Sequence, residues 1–219
     1  LMSMTASVVC ADEHEYVDLG LPSGTLWATC NVGANSPEEY GDYFAWGETE
    51  TKSKYDWSTY KWCNGSNTTM TKYCTSSSFG TVDNKTELEF SDDAAYVNWD
   101  SNWCMPSQTQ FEELTDGAYT TCEWTSLNGI NGLKLTSLKN GKSIFLPAAG
   151  CRTGEKLNLK GSNGNYWSCT VSEDSYRAHG MGIYGDGVYW RDYSRYWGRS
   201  VRPVRLIHAS GITLNYETY

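Results

Sequence analysis

The 219-residue chain is short of histidine, of basic charge and of long apolar runs, and each shortage removes a class of function. Only three histidines occur, His14, His179 and His208, and two lie near the ends, so a histidine-centred nucleophile relay or metal site is not expected. The eight cysteines (Cys10, Cys30, Cys63, Cys74, Cys104, Cys122, Cys151 and Cys169) include no Cys-x-x-Cys pair, which argues against a zinc ribbon or a thioredoxin-like centre. Lys and Arg number 17 against 26 Asp and Glu, a formal net charge of −9, the opposite of what phosphate neutralisation asks for. Nucleic acid is therefore not an expected partner. No stretch is long enough to span a bilayer. Paired carboxylates occur at Asp92-Asp93 and Glu112-Glu113, but at a helix start and on a helix face they read as solvated charge rather than as a glycosidase pair.

Aromatic residues, by contrast, make up 14% of the chain, with 10 Trp, 16 Tyr and 21 Gly beside them. Disordered chains are poor in aromatics, so the composition predicts a folded protein, and Trp and Tyr with Gly and Ser are also the makings of an adaptable binding surface. Residues 1–15 read as a signal-peptide remnant or linker: LMSMTASVVC runs into an acidic stretch, and Cys10 would be the lipid-bearing residue of an exported protein. An even cysteine count permits disulfides, and Cys63 with Cys74, flanking a short polar loop, is the expected pair. Residues 207–219 read as a tail.

Between these ends, residues 16–206 read as one α+β domain. Residues 16–32 alternate around a Pro-Ser-Gly turn and predict a β-hairpin. Residues 50–90 are polar and predict a long excursion with at most short strands. Ser91 is the expected cap of a short helical turn, and Ser107 that of a helix carrying Phe111 and Leu114 on one face. Strands follow over 133–137 and 143–150, joined through Asn140-Gly141. In the final third the period is two. Met181, Ile183, Val188 and Trp190 form the inward set, and His179, Gly180, Gly182, Tyr184, Asp186, Tyr189, Arg191, Asp192, Tyr193 and Ser194 the outward one. Arg191, Arg195, Arg199, Arg202 and Arg205 read as strand-end salt bridges and ligand contacts rather than as a phosphate patch.

The ordered strings YVDLGLPSGTLWATCNVGA, GDYFAWGE, NWCMPSQTQFEEL, SIFLPAAGCR, YWSCT and SVRPVR resemble those of Bacteroidota surface proteins with a C-type-lectin-like fold, in its formylglycine-generating-enzyme-like variant. The resemblance covers about Tyr16 to Arg205. It implies small twisted antiparallel sheets, about two helices, long irregular loops, and display on a cell surface or a phage virion. Some proteins of this fold are variable proteins of diversity-generating retroelements, whose template adenines are mutated. Every outward residue above belongs to the set that asparagine codons can reach, while Trp190 does not. The strings that bind calcium and sugar in this fold, Glu-Pro-Asn or Gln-Pro-Asp with Trp-Asn-Asp, are missing, although Asp92, Asp93 and Asp100 supply oxygens of the kind a structural ion uses. No catalytic role is expected, because Cys151 and Cys169 have no neighbours that would lower a thiol pKa toward a copper-binding pair.

The resulting expectation is a binding protein without enzyme activity, cofactor or metal. Its ligand would be a protein or a surface glycan, met by Arg177, His179, Gly182, Tyr184, Asp186, Tyr189, Arg191, Asp192, Tyr193, Ser194 and Trp197, with Trp190 packed beneath and Trp197 readable either way. The competing expectation is a fixed lectin-like domain or a structural adhesin at a pilus or fibre tip. A catalytically active relative of the formylglycine-generating group is the third.

Overall fold

The computed structural model describes residues 14–206. The readings of Cys10 and of residues 207–219 lie outside them. The described elements run β1 (Tyr16–Asp18), β2 (Leu26–Ala28), a 3-10 turn (Phe90–Asp92), α1 (Ala94–Asn98), β3 (Trp103–Cys104), α2 (Gln108–Thr115), β4 (Thr120–Leu127), β5 (Ile130–Ser137), β6 (Ser143–Pro147), β7 (Cys151–Thr153), β8 (Lys156–Asn158), β9 (Gly164–Val171), β10 (Arg177–Tyr184), β11 (Gly187–Ser194) and β12 (Val204–Arg205). This is an α+β arrangement of two helices and small antiparallel sheets, ordered β1-β2-β12-β3, β4-β5-β6, β7-β8 and β11-β10-β9.

Local chemistry accounts for much of it. β1 and β2 pair through Tyr16↔Ala28, as the alternation predicts. α2 starts at a full capping box, with the Ser107 hydroxyl accepting from the Gln110 amide and the Gln110 side chain accepting from the Ser107 amide. α1 departs from expectation. Its cap is Asp93 rather than Ser91, and one Asp93 oxygen accepts from the amides of Ala95 and Tyr96 while the other accepts from Met105. Two helix amides and the amide just after β3 converge there, a geometry that Ser91 is too early in the chain to meet.

Asp92 and Asp93 are also buried, not solvated. Lys72 and the Tyr73 hydroxyl hold Asp92, and Asp100 accepts from the Asn102 amide, so these three carboxylates serve the chain itself. No group of three or more His, Cys, Asp or Glu among the described residues is placed to hold a metal ion.

The excursion over 29–89 contains no strand, only isolated bridges. Irregular backbone must find hydrogen-bond partners outside a ladder, and here aromatic tips provide them. Tyr43 donates to the Ala149 carbonyl (2.6 Å), Trp46 to Ser168 (2.8 Å), Tyr55 to Tyr43 (2.6 Å), Tyr60 to Trp46 (2.7 Å) and Trp167 to Phe44 (2.9 Å). Each ring fills space while its polar end satisfies a backbone carbonyl, that of Ser168 in β9 for Trp46 and loop carbonyls for the others. Much of the aromatic excess is therefore interior scaffold, since Trp27, Trp46, Trp103 and Trp167 are all fully buried.

Two further expectations fail. Cys63 and Cys74 are both free thiols, as are Cys30, Cys104, Cys122, Cys151 and Cys169. Cys63 faces Met70 across a bridge and points its thiol at the Trp57 carbonyl, whereas Cys74 points at Ser76, so the two sulfurs diverge. Nor do the three central arginines of the run form strand-end salt bridges. Arg195, Arg199 and Arg202 are fully buried. Arg195 donates to the Tyr60 hydroxyl and to the carbonyls of Lys72, Tyr73 and Ser175. Arg202 donates to Asn31 and to the carbonyls of Ala28, Thr29 and Phe145. Both guanidiniums tie loops together through neutral acceptors, a use for which five fixed donors suit arginine better than lysine.

Candidate ligand-binding surface

β10 is the middle strand of its sheet, with β9 on one side and β11 on the open edge. A two-residue turn at Gly185-Asp186 joins β10 to β11, and Tyr184 pairs with Gly187, whose φ of +151° only glycine adopts without strain. That register decides which side chains share a face, because residues directly opposite in an antiparallel pair point the same way.

On one face lie Arg177, His179, Met181 and Ile183 of β10, opposite Ser194, Asp192, Trp190 and Val188 of β11. Met181 and Ile183 are fully buried in a core with Phe111, Leu114, Tyr166 and Trp27, and Val188 and Trp190 pack against it. The inward set is thus inward, with Trp190 6.1 Å from the Phe111 ring. At the end where apolar residues run out, His179 Nδ1 sits 2.5 Å from Asp192 Oδ1, and Ser172 donates to Asp192 Oδ2 (2.6 Å). His179, Asp192, Trp190, Arg191 and Gln108 line a shallow groove of about 350 Å³. Asp192 fixes the imidazole orientation, but the serine hydroxyl is on the carboxylate, not on the imidazole where an acyl-transfer relay would need it.

The opposite face carries Ala178, Gly180, Gly182 and Tyr184, with Tyr193, Arg191 and Tyr189 across from them and Trp167 and Asn165 contributed by β9. Gly180 and Gly182 make a bare floor. A Cβ on Gly182 would lie 2.7 Å from the Tyr184 ring, and one on Gly180 would lie 3.0 Å from Arg199 Nη1 and 3.3 Å from the Tyr193 ring. Tyr184 and Tyr189 meet edge to face at 5.2 Å, and the Arg191 guanidinium is 5.7 Å from the Tyr189 ring. The Tyr189 hydroxyl donates to Asp186 (3.1 Å), and that carboxylate raises the phenol pKa. Burial raises that of Tyr184, with the Tyr193 hydroxyl nearby adding to it. Tyr189 is 37% exposed and Arg191 is exposed, whereas Tyr193 and Trp197 are half-buried.

The site expected from sequence therefore divides. Tyr184, Asp186, Tyr189 and Arg191 come together over the Gly182 floor. His179, Asp192 and Ser194 are on the other face, beside the groove. Arg177 lies at the far end of β10, roughly 23 Å from Tyr184 at about 3.3 Å per residue, pairing with Asp174 and stacking on Tyr176. Tyr193 and Trp197 pack against the second core, with Trp167, Ala178 and Val201.

Beneath Tyr193 is a residue that sequence reasoning did not separate from its neighbours. The Arg199 guanidinium lies 3.2 Å from the Tyr193 ring centroid, 4.7 Å from Trp167 and 5.5 Å from Trp197. Burial lowers its pKa to about 10, so it is still cationic at neutral pH. None of its three side-chain nitrogens has a hydrogen-bond partner among the described residues, and the same holds for Trp197 Nε1 and the Tyr193 hydroxyl. Nothing in the one-dimensional spacing distinguishes Arg199 from Arg195 and Arg202. Burial also pushes the Cys151 and Cys169 thiols up, Cys169 to about 12, away from thiolate character.

Fold and site together define an α+β protein with small antiparallel sheets and an aromatic hairpin at a sheet edge. A family model described as "Domain of unknown function (DUF8237)" matches residues 124–204, which takes in the second half of β4, β5 through β11 and the whole β10–β11 hairpin. No curated protein and no solved structure matches the chain.

Proposed function

We propose that the chain is an exported ligand-binding protein, receptor-binding or adhesin-like, of the C-type-lectin-like fold, and that the β10–β11 hairpin presents its recognition surface. The observation that carries this reading is the division of one hairpin between two tasks. Met181 and Ile183 anchor it in the core, while Tyr184, Tyr189 and Arg191 stand over glycine on the other face. Flat rings with polar tips give much contact area for little side-chain entropy, and an adjacent guanidinium orients the partner by charge-assisted hydrogen bonds. A rigid base with changeable surface residues is also what retroelement diversification requires. Tyr184, Asp186, Tyr189, Arg191 and, across the edge, His179 and Asp192 are the positions we propose vary.

A protein partner fits a broad patch of this kind better than a single-pocket ligand does. Protein and glycan arrays probed with the wild type and with Tyr189→Ala test the reading. The expected result is loss of the captured ligand by at least about tenfold, matching the energies of interface aromatic anchors, with unchanged melting. Capture that is indifferent to Tyr189→Ala and to Arg191→Ala would place recognition elsewhere. Sequencing the DNA beside the gene tests diversification: a near-copy of the segment for 166–205 that differs at adenines is expected beside a reverse transcriptase.

A further inference from the structure

A buried guanidinium normally has its donors matched, as those of Arg195 and Arg202 are. Arg199 is equally buried, yet it is surrounded by rings and donors. Its Nε, Nη1 and Nη2, the Trp197 Nε1 beside it and the Asn165 Nδ2 on the same face are all N–H groups without acceptors among the described residues. Stacking on Tyr193, Trp167 and Trp197 offsets part of the cost of burying the cation, but it satisfies no N–H. The Tyr193 and Ser200 hydroxyls, also unpartnered, are neutral oxygens; what this group of atoms lacks is a negatively charged acceptor, and the one that matches the planar form of a guanidinium is a carboxylate. Access runs through one side chain. Tyr193 is on the edge strand β11, half-buried, and its ring is the cover over Arg199.

We infer that Arg199 is a covered carboxylate seat, which an acidic side chain of a protein ligand enters when the Tyr193 ring turns aside. A flexible aliphatic stem fits the depth of the site, one aromatic ring below the surface, better than a carboxylate fixed to a sugar ring does. The inference deepens the recognition surface proposed above and rests on it only for the direction from which the ligand arrives.

The test uses the whole protein and a probe that does not depend on knowing the ligand. N-acetyl-glutamate amide is titrated at constant ionic strength against its neutral glutamine analogue, with tryptophan fluorescence as the readout because Trp167 and Trp197 flank the guanidinium. The expected result is a saturable change with the glutamate compound and none with the glutamine one. Tyr193→Ala should respond at lower concentration, since the cover is gone. Arg199→Met, which fills similar volume without charge, should weaken the response by at least about tenfold, the scale of one or two charge-assisted hydrogen bonds, while its circular dichroism and melting show a folded protein. If neither the wild type nor Tyr193→Ala responds, the seat does not exist. A stronger response to glucuronate than to the glutamate compound would overturn the assignment to a protein side chain. Tyr189→Ala should leave this titration unchanged. A failed seat with array binding still lost in Tyr189→Ala would thus overturn the seat alone, and the converse would overturn the recognition surface alone.

Discussion

Met181 and Ile183 send their side chains into a core shared with Phe111 and Leu114, whereas Gly180 and Gly182, alternating with them on the same strand, leave bare backbone under Tyr184 and Tyr193. The cores behind the two faces differ as well. The first is aliphatic and aromatic. The second, behind Trp167 and Ala178, lies against charged groups, with Arg199 under Tyr193 and Asp93 capping the helix that carries Ala94 and Ala95. The contrast shows how one hairpin can be rigid and adaptable at once. Stability is concentrated where Met181 and Ile183 are buried, and the tip of the other face is left with Tyr184, Tyr189 and Arg191, residues whose loss the fold can bear.

Substitutions can break this contrast or sharpen it. The largest effect is expected from Ile183→Ala, a loss of about 3 kcal/mol in urea denaturation from lost burial and the cavity left behind. Tyr189→Ala on the opposite face should stay within about 0.5 kcal/mol. Equal losses at the two positions would mean that the open face is structural. Tyr193 does not belong with Tyr189 here, because its removal uncovers Arg199.

The buried arginines should split by sign. Arg202→Met strands four acceptors and should cost about 3 kcal/mol, while Arg199→Met removes a buried charge with no acceptor and should be neutral or stabilising by about 1 kcal/mol. Thermal melts of the two variants side by side decide this.

The charged group under the second core gives a pH dependence. Burial raises the Asp93 carboxyl to about 6, against the three amides that favour its ionised form. A folded-state pKa above the unfolded value of about 3.9 means the folded chain keeps a proton that the unfolded chain has lost. Stability should therefore fall as pH rises from about 4 to about 6, by on the order of 2–3 kcal/mol. Denaturation midpoints across that window test it, and a rise in stability over the same range would reverse the sign.

Two glycines sharpen the contrast further. A Cβ on Gly164, on the packed side, would meet Ile183 at 2.6 Å and the Pro147 carbonyl at 2.9 Å, and backbone cannot step aside. Gly164→Ala should cost about 1–3 kcal/mol. Gly182→Ala meets only the far end of the Tyr184 ring. It should cost less than about 1 kcal/mol and show instead as altered ligand capture, which arrays would read.

Much of this architecture was legible in the sequence. Period two over β10 and β11 separated Met181 and Ile183 from Gly182 and Tyr184 correctly, and the capping box at Ser107 and the strandless excursion were readable from local chemistry. The hairpin register was not. Register adds which residues of the two strands stand opposite each other, but alternation alone already sets His179 in phase with Met181 and Asp192 in phase with Trp190, and the expected outward set departs from that phase at these two positions. Polar identity misled there, because the packed face ends before the strands do. The Cys63–Cys74 pair and the arginine run failed for a related reason. Partners such as Asn31 for Arg202 and Tyr60 for Arg195 are far away in the chain, and no spacing rule reaches that distance.

β12 is two residues long and is the last described element to be made, yet it lies inside its sheet, pairing Val204 with Trp27 on one side and with Cys104 on the other. A growing chain that has reached residue 203 holds β2 and β3 with no strand between them, and both would present unpaired backbone edges. Assembly of that sheet must wait until Val204 and Arg205 have been made, so a nascent chain stalled just short of Val204 should be a client for holding chaperones rather than a partly folded domain.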